Sequence, residues 1–381
     1  MRNQRQRKTK VATAKFKGCP SMITGSVVPN QTGLAAVAAL HPSRLVEIDA
    51  LRGVAAIAVV LFHLTTRFME LFSFKSPPSF SFVYGHFGVN LFFIISGFVI
   101  FMTLEKTARP FDFVVSRFSR LFPVYWVAIF VTFAITHWLG LPGKLVSFDA
   151  AAANMLMLHG LFRIPHVDGV YWTLEVELLF YFGMFFLFRI RGLNRIHGVL
   201  MALLALRLLY FVMKQAFGIE LPWILFRLSI LAYLPWFAIG ISIYLATSRK
   251  GEGLWKAPAC TAAMAIVTLS IAESIALGGL ALAMAAIVYF AASGRLTWLR
   301  NPVLAWLGAI SYPLYLVHEN IGWSVQLRLV EMGVPTDLIV LIALVLALAL
   351  ATLLNRLVEK PAMHWIRSRY RSRQAVLNRP K

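Results

Sequence analysis

Three ionisable side chains interrupt long apolar stretches of this sequence, and their types suit the transfer of a proton. His63 lies deep in the run that begins near Asp49, Glu177 follows the aromatic start of a second run, and His318 closes a third. Ionisable groups inside membrane-spanning helices are costly and usually serve a function. Counted at about 1.5 Å per residue, the three reach a similar depth. The spacing predicts one buried polar site, although each residue alone could be a satisfied polar group.

Arg52 precedes His63 by eleven residues in the same apolar run. At about 100° per residue, eleven steps return to within about 20° of the same helix face, and the helical rise keeps the side chains about 16 Å apart. The two residues therefore mark two depths of one surface and cannot touch. An interfacial anchor is the simpler alternative for Arg52.

Two further arginines, Arg117 and Arg120, lie one helical turn apart at the start of the third apolar run. Such a pair is typical of the anchoring bases on the inner side of a membrane. It is equally suited to an anionic ligand, because the donor fork of guanidinium matches phosphate oxygens. With Arg52 added, the sequence predicts a basic cradle at the inner face.

The composition indicates a membrane protein. Of 381 residues 59% are apolar and only 14% are charged, whereas soluble domains keep about a quarter charged. A helix needs about 20 apolar residues to cross the hydrocarbon core. We therefore predict an all-α, polytopic helical bundle of about ten transmembrane helices, at 50–71, 84–104, 121–139, 170–190, 196–213, 228–247, 257–273, 277–293, 303–326 and 338–356.

Charge distribution predicts the orientation of these helices. With the amino terminus inside, 28 of the 37 Lys and Arg residues fall in inner segments, as the positive-inside rule requires. Both termini are then cytosolic. The same distribution explains the net charge of +21 without nucleic acid as a partner.

Three segments follow from this pattern. Residues 1–45 form a basic cytosolic tail without regular structure, 46–361 the transmembrane domain, and 362–381 a second basic cytosolic tail. The two cysteines, Cys19 and Cys260, cannot build a disulfide framework or a metal cluster. We expect no metal site.

Several motifs in order along the chain resemble the acyltransferase 3 family of bacterial multi-pass membrane acyltransferases. The resemblance runs from Glu47 to about Pro361 and is closest to the branch that modifies exopolysaccharides. Asn90 departs from the pattern, because many members carry aspartate there. The matching stretches are the arginine, ten residues and histidine of "RGVAAIAVVLFH", then "GVNLFFIISGFVI", "RFSRLFPVYW", "YWTLEVELLFY", "SYPLYLVH" and "VEKPA".

The resemblance implies an enzyme of the bacterial inner (cytoplasmic) membrane. It would move an acyl group, most often acetyl, from acyl-coenzyme A to a hydroxyl of a cell-surface polysaccharide or lipid-linked glycan, with no permanently bound cofactor. The positions carried over are Arg52 and His63 as an essential pair, Arg117 and Arg120 as a required pair near coenzyme A, and Glu177, Tyr312, Tyr315 and His318 as further motif positions.

A mechanism follows from these expectations. His63 would take the proton of the attacking hydroxyl, since neutral imidazole is a suitable base near neutral pH. Glu177 would orient that ring or stabilise its cation. Direct transfer and an acyl-histidine relay both remain open, as do the acceptor, the acyl length and the oligomeric state. The rival function is a secondary transporter or flippase that uses the same buried residues as a relay.

Overall fold

The computed structural model describes residues 46–72, 74–248 and 253–377, so the predicted tail 1–45 lies outside the described residues. Every regular element within those ranges is a helix, which confirms the prediction of an all-α protein. The α-helices are α1 Val46–Phe62, α2 Phe68–Leu71, α3 Gly88–Glu105, α4 Pro110–Leu139, α5 Phe148–Asn154, α6 Trp172–Arg189, α7 Ile196–Phe217, α8 Trp223–Leu228, α9 Leu234–Ser248, α10 Lys256–Ala272, α11 Ile275–Ala292, α12 Pro302–Val317, α13 Glu319–Glu331, α14 Thr336–Leu354 and α15 Lys360–Leu377.

Seven helical segments are long and apolar enough to cross a membrane: Val46–Leu71, Val83–Glu105, Pro110–Leu139, Gly169–Arg189, Gly192–Phe217, Ile275–Ala292 and Thr336–Gln374. The chain is thus a multi-pass membrane protein. Three shorter apolar helices, α9, α10 and α12, lie at the remaining predicted positions. The count of ten spans stays a prediction.

One predicted span has a different form from the one expected. The stretch 303–326 is not a single helix, because α12 ends at Val317 and α13 begins at Glu319. Pro313 lies inside α12, and a proline removes one backbone hydrogen bond of the helix. The break places His318 between the two helices.

We call the end of the bundle that contains the start of α1 the tail end, and the end that contains His63 and His318 the loop end. At the tail end, Arg300 Nε donates to Glu47 Oε1 at 2.7 Å and joins the start of α1 to the turn before α12. At the loop end, the last turns of α1 meet the α12–α13 break through His63 and His318. The connection between α4 and α6, residues 140–168, also lies at the loop end.

Glycines allow the central helices to cross closely. A Cβ on Gly53 of α1 would lie 2.6 Å from the backbone nitrogen of Gly308 on α12. In the second crossing, between α3 and α9, a Cβ on Gly97 would overlap the carbonyl oxygen of Phe237, and one on Gly240 that of Ile94. Small residues drive such packing in membranes, where the hydrophobic effect between helices is absent.

We expect Gly240→Ala to destabilise the protein by roughly 1–3 kcal/mol, the usual range for overpacking a tight core. The new methyl group meets backbone atoms of α3, which cannot rotate away. The measurement is thermal unfolding of purified protein in detergent. Gly279→Ala on α11 is the matched control, because open space surrounds that position. Equal Tm values for the two variants would contradict the proposed tight crossing.

Candidate active site

A cavity of about 370 Å³ opens at the loop end and contains His63. Its lining combines aromatic rings with ionisable groups from α1, α3, α6, α12 and α13. The lining includes His63, Lys144, Trp172, Tyr233, Glu319 and Trp323.

A π-helical turn, His63–Arg67, continues α1 and presents His63 to this cavity. The wider turn leaves backbone carbonyl groups accessible to side chains of α13. Trp323 Nε1 donates to the carbonyl oxygen of His63 at 2.9 Å, and Gln326 Nε2 donates to that of Leu64 at 2.8 Å. Such single π-turns are frequent at functional sites, and these two bonds fix the position of His63 relative to α13.

His63 and His318 are in contact, with 3.2 Å between His63 Nδ1 and His318 Nε2. Two backbone carbonyls assign the protons on the rings. The carbonyl oxygen of Tyr315 lies 2.9 Å from His318 Nδ1, and that of Val59 lies 2.9 Å from His63 Nδ1. A carbonyl can only accept, so both Nδ1 atoms carry hydrogen. In the neutral His63 ring, Nε2 then carries no hydrogen and is the atom that can accept a proton.

The carboxylate beside His63 is Glu319, whose Oε2 lies 3.2 Å from His63 Nε2. Glu319 is only 4% exposed. Glu177, which is expected to orient the His63 ring, lines a second cavity that is described below, and its orienting role stays a prediction. Glu177 Oε1 accepts hydrogen bonds from Ser96 Oγ and, at 2.6 Å, from Tyr181 Oη. Glu319 comes beside His63 because it follows the break after Val317, and counting residues along straight helices does not reveal that break.

Asp168 holds the α12–α13 break in place. Its Oδ2 accepts the backbone N–H of Asn320 at 3.0 Å, and its Oδ1 accepts that of Val170 at 3.3 Å. The side chain of Asn320 returns a bond to the carbonyl oxygen of Val167 at 2.8 Å. Burial raises the pKa of the Asp168 carboxyl. This carboxyl therefore positions the residues that follow His318.

The three arginines predicted to bind the donor come together at a second cavity, which lies toward the tail end. Arg52, Arg117 and Arg120 line it together with Glu177 and Tyr181. Arg52 lies 3.9 Å from Asp49. The Nε of Arg117 is buried and has no hydrogen-bond partner among the described residues. The cavity has the charge and the free donors to accept an anion.

The two cavities share a wall. Val89, Phe93 and Tyr315 line both of them, and we call these three side chains the partition. Thr173 Oγ1 fixes the Tyr315 ring by a hydrogen bond of 2.9 Å to its Oη. Tyr312 lies in the tail-end cavity and donates to the carbonyl oxygen of Leu121 at 3.2 Å.

Sequence reasoning missed Glu319, Asp168 and Trp323. The sequence did contain a signal for Glu319, because "VHEN" places three polar side chains in succession inside an otherwise apolar run. Asp168 gave none, since an aspartate before an aromatic helix start is also a common turn residue. The structure brings His63 and His318 together as expected, and separates both from Glu177.

A second histidine pair lies in the loop-end connection. His159 Nε2 and His166 Nδ1 are 2.6 Å apart. Burial, and then the charge of His166, lowers the pKa of His159 to about 3. Burial, and then Arg227, lowers that of His166 to about 4. Both rings are therefore neutral in the folded protein at neutral pH.

We expect the free energy of unfolding to fall as pH is lowered from about 6.5 toward 4. In that window the unfolded chain binds protons on both imidazoles and the folded chain does not, so acid favours unfolding. Thermal unfolding at pH 7 and pH 5 measures the effect, and the double variant His159→Gln/His166→Gln should show a smaller loss of Tm than wild type. The exposed His137 provides a control, His137→Gln, that should behave like wild type. An equal pH dependence in the double variant would contradict this account.

The described structure is a bundle of apolar helices with a histidine–carboxylate cavity toward one end and an arginine-lined cavity toward the other. Residues 45–356 match the family model described as acyltransferase domain, in the acyltransferase 3 family. The chain belongs to this family of acyltransferase enzymes, as its motifs predicted.

Curated relatives cover different parts of the chain. It is 29% identical over 143 residues to the exopolysaccharide production protein ExoZ of Rhizobium meliloti (strain 1021), which is 35% of this chain and 44% of that protein. It is 35% identical over 109 residues to protein 2 in the picA locus of Rhizobium radiobacter, 26% of this chain and 52% of that protein. It is 27% identical over 314 residues to nodulation protein 10 of Rhizobium leguminosarum bv. viciae, 72% and 82% of the two chains.

The chain thus spans about half the length of the first two relatives and most of the third. No solved structure matches it.

Proposed function

We propose that this protein transfers an acyl group, most simply acetyl, from acyl-coenzyme A to a hydroxyl of a cell-surface polysaccharide or lipid-linked glycan. The donor enters the tail-end cavity from the cytosol, and the acceptor enters the loop-end cavity from the other side. Both termini are cytosolic, the helices make ten crossings, and the membrane is the bacterial inner membrane. The charge distribution along the chain supports this orientation.

The observation that carries the proposal is the shared wall between two chemically different cavities. The tail-end cavity is lined by three arginines, and the loop-end cavity by His63 and Glu319. The partition is common to both. A thioester carried on a long, phosphate-bearing arm needs such a layout, because its phosphates remain at the basic end while its acyl carbon reaches the base.

The acceptor hydroxyl would donate its proton to His63 Nε2 as its oxygen attacks the thioester carbonyl carbon. The carbon–sulfur bond then breaks, and the imidazolium returns the proton to the leaving thiolate. Proton and electron pairs balance without another reactant. In the relay variant, His63 Nε2 attacks the carbonyl carbon first and the carbon–sulfur bond breaks to release the thiolate. The hydroxyl oxygen then attacks the acyl-imidazole, the carbon–nitrogen bond breaks to restore the ring, and the hydroxyl proton goes to the thiolate.

Neighbouring groups support His63 in this role. Glu319, at 3.2 Å from Nε2, would stabilise the positive charge that develops on the ring. His318 accepts from Nδ1 and keeps the ring in one orientation. Glu177 remains a predicted catalytic residue, and its place beside the arginines favours action at the donor end.

The acceptor class is supported by two observations. The name of one relative refers to exopolysaccharide production. The loop-end cavity has Trp172, Tyr233 and Trp323 in its lining, and aromatic rings with a polar edge offer the mixed apolar and polar surface that a sugar ring presents.

The test has two parts. Mass spectrometry of surface glycans should show an acyl ester in the parent strain that is absent from a strain lacking this chain. Purified protein given labelled acetyl-coenzyme A and the de-esterified glycan should transfer label to the glycan. Movement of glycan across vesicles without consumption of acetyl-coenzyme A would instead support a transporter or flippase.

A further inference from the structure

The last helix, α15, lies beyond the part of the chain that matches the family, which ends at residue 356. It follows α14 through a second π-helical turn, Asn355–Glu359. Its sequence, "KPAMHWIRSRYRSRQAVL", has five basic side chains and no acidic one. Sequence analysis assigned these residues to a basic tail, but their contacts give them a defined place.

Side-chain bonds fasten α15 along the first turns of α4. Tyr370 Oη donates to Asp112 Oδ1 at 2.8 Å, and Arg109 Nη1 donates to Gln374 Oε1 at 2.7 Å. Further along α4, beyond the Asp112 bond, Arg367 Nε donates to Ser119 Oγ at 3.0 Å and its Nη2 donates to the carbonyl oxygen of Ser116 at 3.2 Å. This is the stretch of α4 that carries Arg117 and Arg120, so α15 lies beside the basic cavity.

Arg367 differs from the other arginines of α15. It is half-buried, whereas Arg369, Arg371 and Arg373 are exposed. The positive charges of Arg117 and Arg120 act on it electrostatically. Four guanidinium groups, counting Arg52, thus gather at the tail end.

Within this cluster, Arg52 has Asp49 at 3.9 Å, and the other three arginines have no ion pair among the described residues. Glu359 is hydrogen-bonded to Asn355, and Glu177 to Ser96 and Tyr181. Like charges held together without partners are costly, and the unpaired Nε of Arg117 leaves a donor for a ligand.

We propose that Arg367 is a fourth ligand for the phosphates of the donor, and that α15 forms one side of the donor's entrance. The inference rests on the proposed function, because it assumes a nucleotide-bearing donor with several phosphates. It adds a binding residue from a helix outside the family match. Arg367 reaches the ligand while its Nε remains fixed by Ser119.

The experiment measures binding of coenzyme A to the full-length protein in detergent. Arg367→Gln should weaken binding by about tenfold or more, since a charge-assisted bond to phosphate is lost. Arg369→Gln, an exposed neighbour that packs on Trp365, should stay within about twofold of wild type. Ser119→Ala should retain most binding, because it removes one of the two bonds that hold the guanidinium and leaves the bond from Nη2 to the carbonyl oxygen of Ser116.

Several outcomes would overturn the inference, and they separate it from the proposed function. Wild-type affinity in Arg367→Gln rejects the role of Arg367 alone. Equal weakening in Arg367→Gln and Ser119→Ala assigns a structural role instead. Arg367→Gln and Arg369→Gln could instead lose binding equally, and only when anionic lipid vesicles are present. That result would assign the helix to a lipid surface. Wild-type protein that binds no coenzyme A rejects the proposed function and this inference together.

Discussion

His63→Ala should reduce acyl transfer by at least about 100-fold, the lower range for loss of a general base. Because Nδ1 of His63 carries hydrogen, Nε2 is the ring nitrogen that can accept a proton, and it lies beside Glu319 at the loop-end cavity. The variant should still be produced and inserted, because the ring is replaced by a smaller side chain at the edge of an existing cavity. Transfer of labelled acetyl groups to glycan by purified protein is the measurement.

His137→Ala is a matched control for this experiment. His137 also contacts the carbonyl oxygen four residues earlier, with 2.8 Å between Nδ1 and Phe133 O, but its ring is exposed and lies outside both cavities. It should keep wild-type activity. Full activity in His63→Ala would reject the mechanism in both its direct and its relay form.

Glu319→Gln should reduce kcat by about tenfold or more with little change in KM for the donor. The substitution keeps the size of the side chain and removes the charge that faces the imidazolium at 3.2 Å. A hydrogen bond to a charged group contributes about 1.5–3 kcal/mol, which corresponds to roughly a 10- to 150-fold effect. Steady-state kinetics at saturating acceptor separates kcat from KM.

Glu331→Gln tests whether any lost carboxylate on α13 has the same effect. Glu331 is exposed and pairs with Arg328 at 2.8 Å, so its loss should leave kcat unchanged. A kcat loss in Glu177→Gln, with wild-type kcat in Glu319→Gln, would return the orienting role to Glu177 and contradict the geometric assignment.

The fold was largely predictable because membrane helices are selected by length and hydropathy alone. Apolar runs located all seven long helical segments and the three shorter ones, with errors mainly at their edges. The division of 303–326 was not predicted, since both halves are apolar and a proline within a membrane helix does not by itself end it. The start of α4 at Pro110 was also missed, because its first turns are polar.

The positions of the candidate site residues were predictable only where the helical repeat alone determines them. Arg52 and His63 were correctly placed at two depths, since eleven residues on one straight helix fix both angle and distance. Glu177 was misplaced because depth along an axis does not give rotation about it, and Glu177 faces Ser96 and Tyr181. The pairing of Asp168 with Asn320 joins residues 152 positions apart, and no local pattern encodes that contact.

The partition formed by Val89, Phe93 and Tyr315 has a consequence for the cell. A water-filled route that ran unbroken from cytosol to exterior would dissipate the electrochemical gradients of the membrane. In the proposed reaction, the acyl carbon of the donor has to pass these three side chains, which must still exclude hydrated ions. Such an enzyme would have to seal the membrane as a closed channel gate does. Widening the partition would let ions leak through the protein.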